Sequence, residues 1–534
     1  MSTEYDADVI VIGSGVLGSL AAWYLARYGR SVIMLEAGPK MERWQIVERF
    51  RNNPEKDNLN RPYPEQAWAP KSYGGVYSDS YLENTGPFEF KPALLRLVGG
   101  STWHWAAGAW RYLPNDMKLK STYGVGRDWP IAYDDLEPWY QAAEEALGVC
   151  GSNTDDQSGN AKKSAVPVRS QNYPLPQIGW SSFTQAFAQK AQGAGFQFID
   201  EPQARASQPF DGRPACSGNN SCTSVCPTGA MYSGIVHATK AQEEGARLIT
   251  NAVVFRLEKS SDGKTITAVH YRTPEKKDIR LTARYIIVAA NGIETARLLL
   301  LSDVANSSDQ VGRNIMDHTG ISLTFLSKDE MWPGRGPVQQ GHIMNWRDGR
   351  FRAKHAAIRH ALGNAVPNLA IADRLIAQGL MGQALDEKIR YEAARWVHIS
   401  TSFEMLPNVK NRITLSERKD VLGLPKPTVY YEPDAYAKAA VTVAKSDYRK
   451  LISAFDATVI SDSANWQNRH NVIGSVIMGG NAKDSVVDKD CRTFDHTNLF
   501  LATTGVIPAC SVVPPTLTGI ALSLRIAQLI REEL

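Results

Sequence analysis

A chain of 534 residues exceeds the reach of one hydrophobic core, so at least two domains are expected. Its 59 Lys and Arg against 55 Asp and Glu leave a formal charge of only +4, and with no basic run to track phosphates the composition argues against a nucleic-acid partner. No run of 18 or more apolar residues occurs, which excludes a sequence-legible membrane-spanning helix. The acidic start, Met1 to Asp6, leads directly toward a strand, so no room for a signal peptide is expected and export would need another chain.

The β-branched run 9–12 reads as a strand, Gly13-Ser14-Gly15-Val16-Leu17-Gly18 as a tight turn, and 21–28 as a helix. Gly13 permits the sharp turn, Gly15 lets a pyrophosphate approach the backbone, and Gly18 lets the helix pack on the strand. The helix N-terminus offers its free N–H groups to the phosphates. A second strand, 31–35, ends in Glu36, a carboxylate about 20 residues beyond the glycines, where an adenosine ribose is held. Strand, glycines, helix, second strand and acid in that order point to a flavin or nicotinamide nucleotide.

Residues 51–87 are rich in Pro, Tyr and Asn and aperiodic, and read as a surface excursion, a lid or a subunit contact. Gly99, Gly100, Ser101, Thr102 and His104 then follow, with His104 between Trp103 and Trp105. Small residues here allow close contact with a flat ring or a phosphate, and the aromatics exclude water.

The glycine turn with Glu36-Ala37-Gly38 and the Gly-Gly-Ser-Thr segment some 60 residues on resemble the glucose-methanol-choline (GMC) flavoprotein oxidoreductases. Further segments of the family type are Asn251-Ala252-Val253-Val254, Ala289-Ala290-Asn291-Gly292-Ile293-Glu294, and Val311-Gly312-Arg313-Asn314 through His318. The resemblance implies FAD, a backbone contact from Val254 to the adenine, and Asn291 near the flavin. It also places His104 where some members attach the flavin 8α-methyl group. A neutral imidazole is nucleophilic enough for that bond, and a histidine packed and hydrogen-bonded between two tryptophans is the alternative.

Cys216, Cys222 and Cys226 crowd into eleven residues rich in turn formers and closed by Pro227. Three thiolates at this spacing can fold around one inorganic centre, and three ligands suit a 3Fe-4S cluster. A four-iron cluster or zinc needs a fourth ligand, from Cys150, Cys491 or Cys510. Disulfides are the other reading, and would leave an odd thiol. GMC features with such a loop resemble the large subunits of bacterial membrane-associated glucose, fructose and gluconate 2-dehydrogenases. That resemblance implies electron transfer from flavin through the cluster to a multihaem cytochrome c subunit. It also implies a small signal-bearing subunit and a place on the periplasmic side of the inner membrane, or in the cytoplasm without a partner.

The family places its base, a histidine, three residues before a Gly-Ser or Gly-Thr pair, with a second histidine or asparagine near the C-terminus. Here Asn471 stands three before Gly474-Ser475, His470 is one position off, and Pro514 occupies the partner position. An asparagine cannot act as a base at neutral pH, and proline offers no side-chain hydrogen bond. A one-residue bulge would re-aim His470 at the flavin, which is the favoured account; otherwise the usual pair is gone.

The expected architecture is α/β. A doubly wound FAD-binding domain takes 1–45, 90–115, 205–319 and 483–534, with the cysteine loop at 214–228. Segments 46–89 and 116–204 are excursions, and an antiparallel-sheet substrate domain takes 320–482. A terminal helix, 516–532, closes the nucleotide domain. Three functions remain open: a dehydrogenase oxidising a sugar, polyol or sugar acid through the cluster; a sugar oxidase using dioxygen; and an assembly component with flavin and cluster but no dehydrogenase activity.

Overall fold

The computed structural model describes residues 5–55, 61–72, 74–78, 81–160 and 166–534. The first four residues, and positions 56–60, 73, 79 and 80 of the long excursion, lie outside them.

Five parallel strands build the nucleotide sheet in the order Leu499–Leu501, Ala283–Val288, Ala7–Ile12, Val32–Leu35, Arg247–Ile249. Ile10 is paired on both sides, with Ile286 and Ile33, and is fully buried. A strand covered on both faces has no use for polar alternation, which is why this segment reads as a continuous apolar run. The helix Val16–Arg27 lies over the sheet and packs against the terminal helix Thr516–Glu533 and against Ile235–Glu243. As the sequence predicts, the fold is α/β with an added antiparallel sheet.

That second sheet has six strands, all antiparallel, in the order Thr458–Gln467, Gly320–Leu326, Trp396–Phe403, Ile358–Gly363, Gly341–Trp346, Phe198–Asp200. Phe198–Asp200 joins it from well before residue 320. Every residue of Gly320–Leu326 is buried, because the helix Ala435–Ala454 packs on the outer face. A helical hairpin, Asn368–Ala377 and Gly382–Arg395, interrupts the strand order. A three-stranded sheet, Val253–Lys259, Ile266–Arg272 and Asp278–Leu281, lies beyond the nucleotide sheet. Among the described residues no helix is long and apolar enough to cross a membrane.

Candidate active site

A cavity of about 490 Å³ opens between the nucleotide sheet and the six-stranded sheet, a size suited to a cofactor or a small ligand. Twelve of the expected residues line it: Gly13, Gly15, Glu36, Gly100, Ser101, Thr102, His104, Val254, Asn291, His470, Asn471 and Pro514. Gly18 and Gly99 stand behind its wall. A Cβ on Gly18 would fall 2.0 Å from the carbonyl oxygen of Gly13, so helix and turn can approach only with glycine there. Gly99, at φ 94°, would press a Cβ to 2.7 Å from the Ile235 nitrogen.

Gly15 is the opposite case. It sits at the start of the helix with φ −64° and ψ −179°, and a Cβ there would meet nothing within 4 Å. The space that a methyl would take belongs to the cavity, beside the helix N-terminus, as a pyrophosphate cradle requires. Glu36 is buried, with Oε2 accepting from the Ser14 N–H at 3.1 Å and the Ser14 hydroxyl at 2.6 Å, and Oε1 accepting from the Gly38 N–H at 3.0 Å. A carboxylate has about four acceptor positions, so one remains for a ribose hydroxyl. Asn291 is the first residue of the helix Asn291–Ser302, and its Oδ1 accepts from the Ile293 N–H at 2.7 Å. Thr102 donates to the Gly99 carbonyl at 2.8 Å and accepts from the Gly234 N–H at 2.8 Å, which ties the Gly-Gly-Ser-Thr turn to the start of the helix Ile235–Glu243. These residues fit FAD: an open cradle at the helix start, an oriented carboxylate, and an apolar slot.

His104 is buried and packs against Tyr63, ring centres 5.5 Å apart. Its two neighbours point elsewhere, Trp103 donating to the Val98 carbonyl and Trp105 to that of Tyr232. Burial, with His470 and Lys71 adding repulsion, pushes the imidazole pKa down to about 4, so the ring is neutral at pH 7. Its Nε2 has no hydrogen-bond partner among the described residues.

The residue that organises the other side of the cavity is Asp317, which sequence reasoning did not single out. Fully buried, its carboxylate accepts four backbone N–H groups: Oδ1 from His318 at 2.7 Å and Asn471 at 2.9 Å, Oδ2 from Arg469 at 2.8 Å and His470 at 3.2 Å. Burial nevertheless pushes its pKa above the ordinary carboxylate value. The turn thus pinned holds His470 at φ 63°, a left-handed conformation uncommon outside glycine. His470, Asn471 and Pro514 all line the cavity. His470 Nδ1 stands 2.6 Å from the carbonyl oxygen of Lys91, and Asn471 Nδ2 donates to the Arg469 carbonyl at 3.1 Å.

Cys216, Cys222 and Cys226 line a second, smaller pocket, and all six cysteines of the chain are unbonded thiols, so the disulfide reading is not what this structure adopts. Thr223 of the same loop reaches the main cavity, so the loop borders both spaces. Arg205, buried, donates to Cys222 Sγ at 3.1 Å and to the Ala106 carbonyl, on the wall of the main cavity, at 3.3 Å. The charge of all three sulfurs acts on that guanidinium. Burial pushes the Cys226 thiol up, but the Met231 N–H, the Thr228 hydroxyl and the guanidinium groups of Arg205 and Arg43 outweigh it and hold the pKa below the ordinary thiol value. Cys150, by contrast, is pushed up to about 12 by burial. Three unbonded sulfurs on one pocket with a compensating cation and an N–H donor have the chemistry of an iron–sulfur ligand loop. They do not converge further: among the described residues no three His, Cys, Asp or Glu side chains are close enough together to hold a metal ion.

Two family models, both described as GMC oxidoreductase, match residues 124–320 and 407–523, and a third, FAD dependent oxidoreductase, matches 8–43. The chain is 42% identical to the fructose dehydrogenase large subunit of Gluconobacter japonicus, over 100% of this chain and 99% of that one. It is 24% identical to the gluconate 2-dehydrogenase flavoprotein of Pantoea cypripedii, over 98% and 94%. Among solved structures, pyridoxine 4-oxidase from Mesorbium loti aligns with a TM-score of 0.64 at 15% identity, covering 98% of this chain and 99% of that one, a likeness of fold. With the nucleotide cradle, the second sheet and a full-length relationship in agreement, the chain belongs to the GMC oxidoreductase family and is an FAD-dependent oxidoreductase acting on CH–OH groups.

Proposed function

We propose that this chain is the flavin-bearing large subunit of a dehydrogenase complex that oxidises a sugar, polyol or sugar acid and passes the electrons through an iron–sulfur cluster to a cytochrome c partner. The observation that carries the reading is the cysteine loop itself, which borders the FAD cavity through Thr223 while its three thiols share a pocket next door. The full-length relationship to a protein named as a large subunit supports partner subunits. A small signal-bearing subunit would then take the chain to the periplasmic side of the inner membrane.

FAD, when bound, supplies the hydride acceptor, and a cluster on Cys216, Cys222 and Cys226 supplies a one-electron relay. The chain's own residues do the rest. We assign His470 the hydroxyl proton of the substrate. Donation of its Nδ1–H to the Lys91 carbonyl makes Nε2 the basic nitrogen, and the Asp317 clamp fixes the backbone that carries it. Asn471, on the same turn, offers its amide to a substrate oxygen. His104, neutral and with an unpartnered Nε2, is the atom for attachment to the flavin. Arg205 spans from the cavity wall to the thiols and offsets their charge.

The test is anaerobic reduction of the purified flavoprotein by a panel of sugars, polyols and aldonates, with iron and sulfide analysis. Flavin bleaching, about three iron atoms per chain and electron delivery to dye or cytochrome with little peroxide are expected. Rapid peroxide formation without iron would favour the oxidase reading, which has relatives of its own at 26% identity, such as paromamine 6'-oxidase of Streptomyces fradiae. An iron-containing flavoprotein that no sugar, polyol or aldonate reduces would favour the assembly component.

A further inference from the structure

Strands Ile358–Gly363 and Trp396–Phe403 pair with Arg359 opposite Ser402 and Ala361 opposite Ser400. Strand period two puts these four on one face, and all four line the main cavity. Arg359 is 94% buried, being 6% exposed, and its side chain makes no hydrogen bond or ion pair with any described residue; its Nε is among the buried atoms left without a partner. Burial pushes its pKa down to about 10. Leaving a buried guanidinium unpaired is costly unless a ligand uses it.

Glu201 is 1% exposed and lines the same cavity. Its Oε1 lies 3.0 Å from His342 Nε2, a poorly aligned contact, and 3.4 Å from Trp110 Nε1, while Oε2 has no partner. Burial opposes the charge of Glu201 and also holds the His342 imidazole pKa below its ordinary value, so at neutral pH Arg359 is the cation that faces the carboxylate, whose own pKa stays below the ordinary one. Arg359 and Glu201 therefore attract each other across the cavity without forming an ion pair. Of the other guanidinium groups on the wall, Arg96 and Arg297 pair with Glu294, Arg297 also with Asp420, and Arg469 spends its Nη2 on the carbonyls of Ile321 and Thr401 at 2.9 and 2.8 Å while its charge faces Asp317. Each guanidinium on the wall is thus faced by a carboxylate.

We propose that Arg359 and Glu201 form a two-ended clasp that selects a neutral polyhydroxylated substrate: Arg359 donates to one hydroxyl oxygen and Glu201 Oε2 accepts the proton of another. This inference rests on the sugar dehydrogenase reading and narrows it. A sugar acid would bring an uncompensated negative charge to a cavity whose cations are already matched, which is discrimination by repulsion. An alcohol with one hydroxyl group can satisfy only one end and leaves the other buried and unpaired.

The experiment measures flavin reduction and steady-state kinetics with a soluble dye, on holoenzyme, for hexoses, hexitols, the matching aldonates and 1-propanol. The wild type is expected to favour the best neutral sugar over its aldonate by at least about tenfold in kcat/KM. Arg359→Met should lower kcat/KM for that sugar by about 100-fold or more, chiefly through KM, with Arg359→Lys recovering part of it. Glu201→Gln, which keeps shape and removes charge, should narrow the neutral-to-acid ratio by about tenfold. FAD content, spectrum and melting temperature of each variant establish that it is folded; if Arg359→Met is not, Glu201→Gln and Arg359→Lys decide. A wild type that prefers the aldonate, or folded variants with unchanged KM and unchanged ratio, would overturn the clasp while the dehydrogenase stands. Failure of every sugar, polyol and aldonate to reduce the wild-type flavin would overturn the dehydrogenase reading and the clasp with it.

Discussion

Replacing Asp317 by asparagine tests whether the turn carrying His470 is held by this one buried carboxylate. The native oxygens take two N–H groups each. An asparagine keeps one oxygen and presents an amide donor to the other pair, so two charge-assisted hydrogen bonds are lost whichever way it is oriented. At about 1.5–3 kcal/mol each, the loss is about 3–6 kcal/mol, a large part of the stability of a typical domain. Part returns if the turn moves, and moving it re-aims His470. Urea unfolding of the apoprotein and anaerobic flavin reduction of the holoprotein measure the two effects separately. A clear loss of stability is expected together with a fall in the reduction rate of about 10-fold or more, as a misplaced base produces. An Asp317→Asn protein that unfolds within about 0.5 kcal/mol of the wild type and reduces its flavin at the same rate would refute the clamp.

Gly15→Ala should leave the apoprotein's unfolding nearly unchanged, because φ −64° suits alanine and the methyl meets no protein atom, yet weaken FAD binding by about 100-fold or more in a titration of apoprotein with FAD. His104 titrates near 6.5 in the unfolded chain and near 4 in the folded one, so its contribution is intact above pH 6.5 and is lost as pH falls toward 4, at no more than about 1.4 kcal/mol per pH unit. His104→Asn should flatten that limb of the apoprotein's urea stability between pH 7 and pH 5. Arg205→Met removes the cation beside three thiols and should lower the iron retained per flavin, read by metal analysis and visible absorbance, while FAD content holds. Iron at the wild-type level would count against its place in the cysteine pocket.

The nucleotide half was legible because its signals are local. The apolar run ending at Ile12, the spaced glycines and Glu36 occupy one short stretch, and their roles are set by neighbours close in the chain, as with Gly18 against the Gly13 carbonyl and Glu36 on Ser14 and Gly38. Asp317 gave no such signal: its four N–H donors include three that lie about 150 residues downstream, so its role exists only after the chain has folded. Arg359, on the strand Ile358–Gly363, and Glu201, just past the strand Phe198–Asp200, meet only through the six-stranded sheet and were invisible for the same reason. Arg359 did leave one trace, a charged residue in a short strand that the fold buries almost throughout. His104 was placed between its tryptophans by sequence order, whereas the turn at Gly100–Trp103 rotates successive side chains apart and gives it Tyr63 instead.

The cavity wall joins Ile12, near the beginning of the chain, to Thr516, near its end, and the helix that starts at Thr516 lies against the one that follows the glycine turn. A ribosome must therefore release the chain past Thr516 before the vessel for the dinucleotide has all its walls. Cofactor loading cannot be complete before that point, and any step that carries the chain elsewhere must either wait for it or deliver a protein still lacking its prosthetic group.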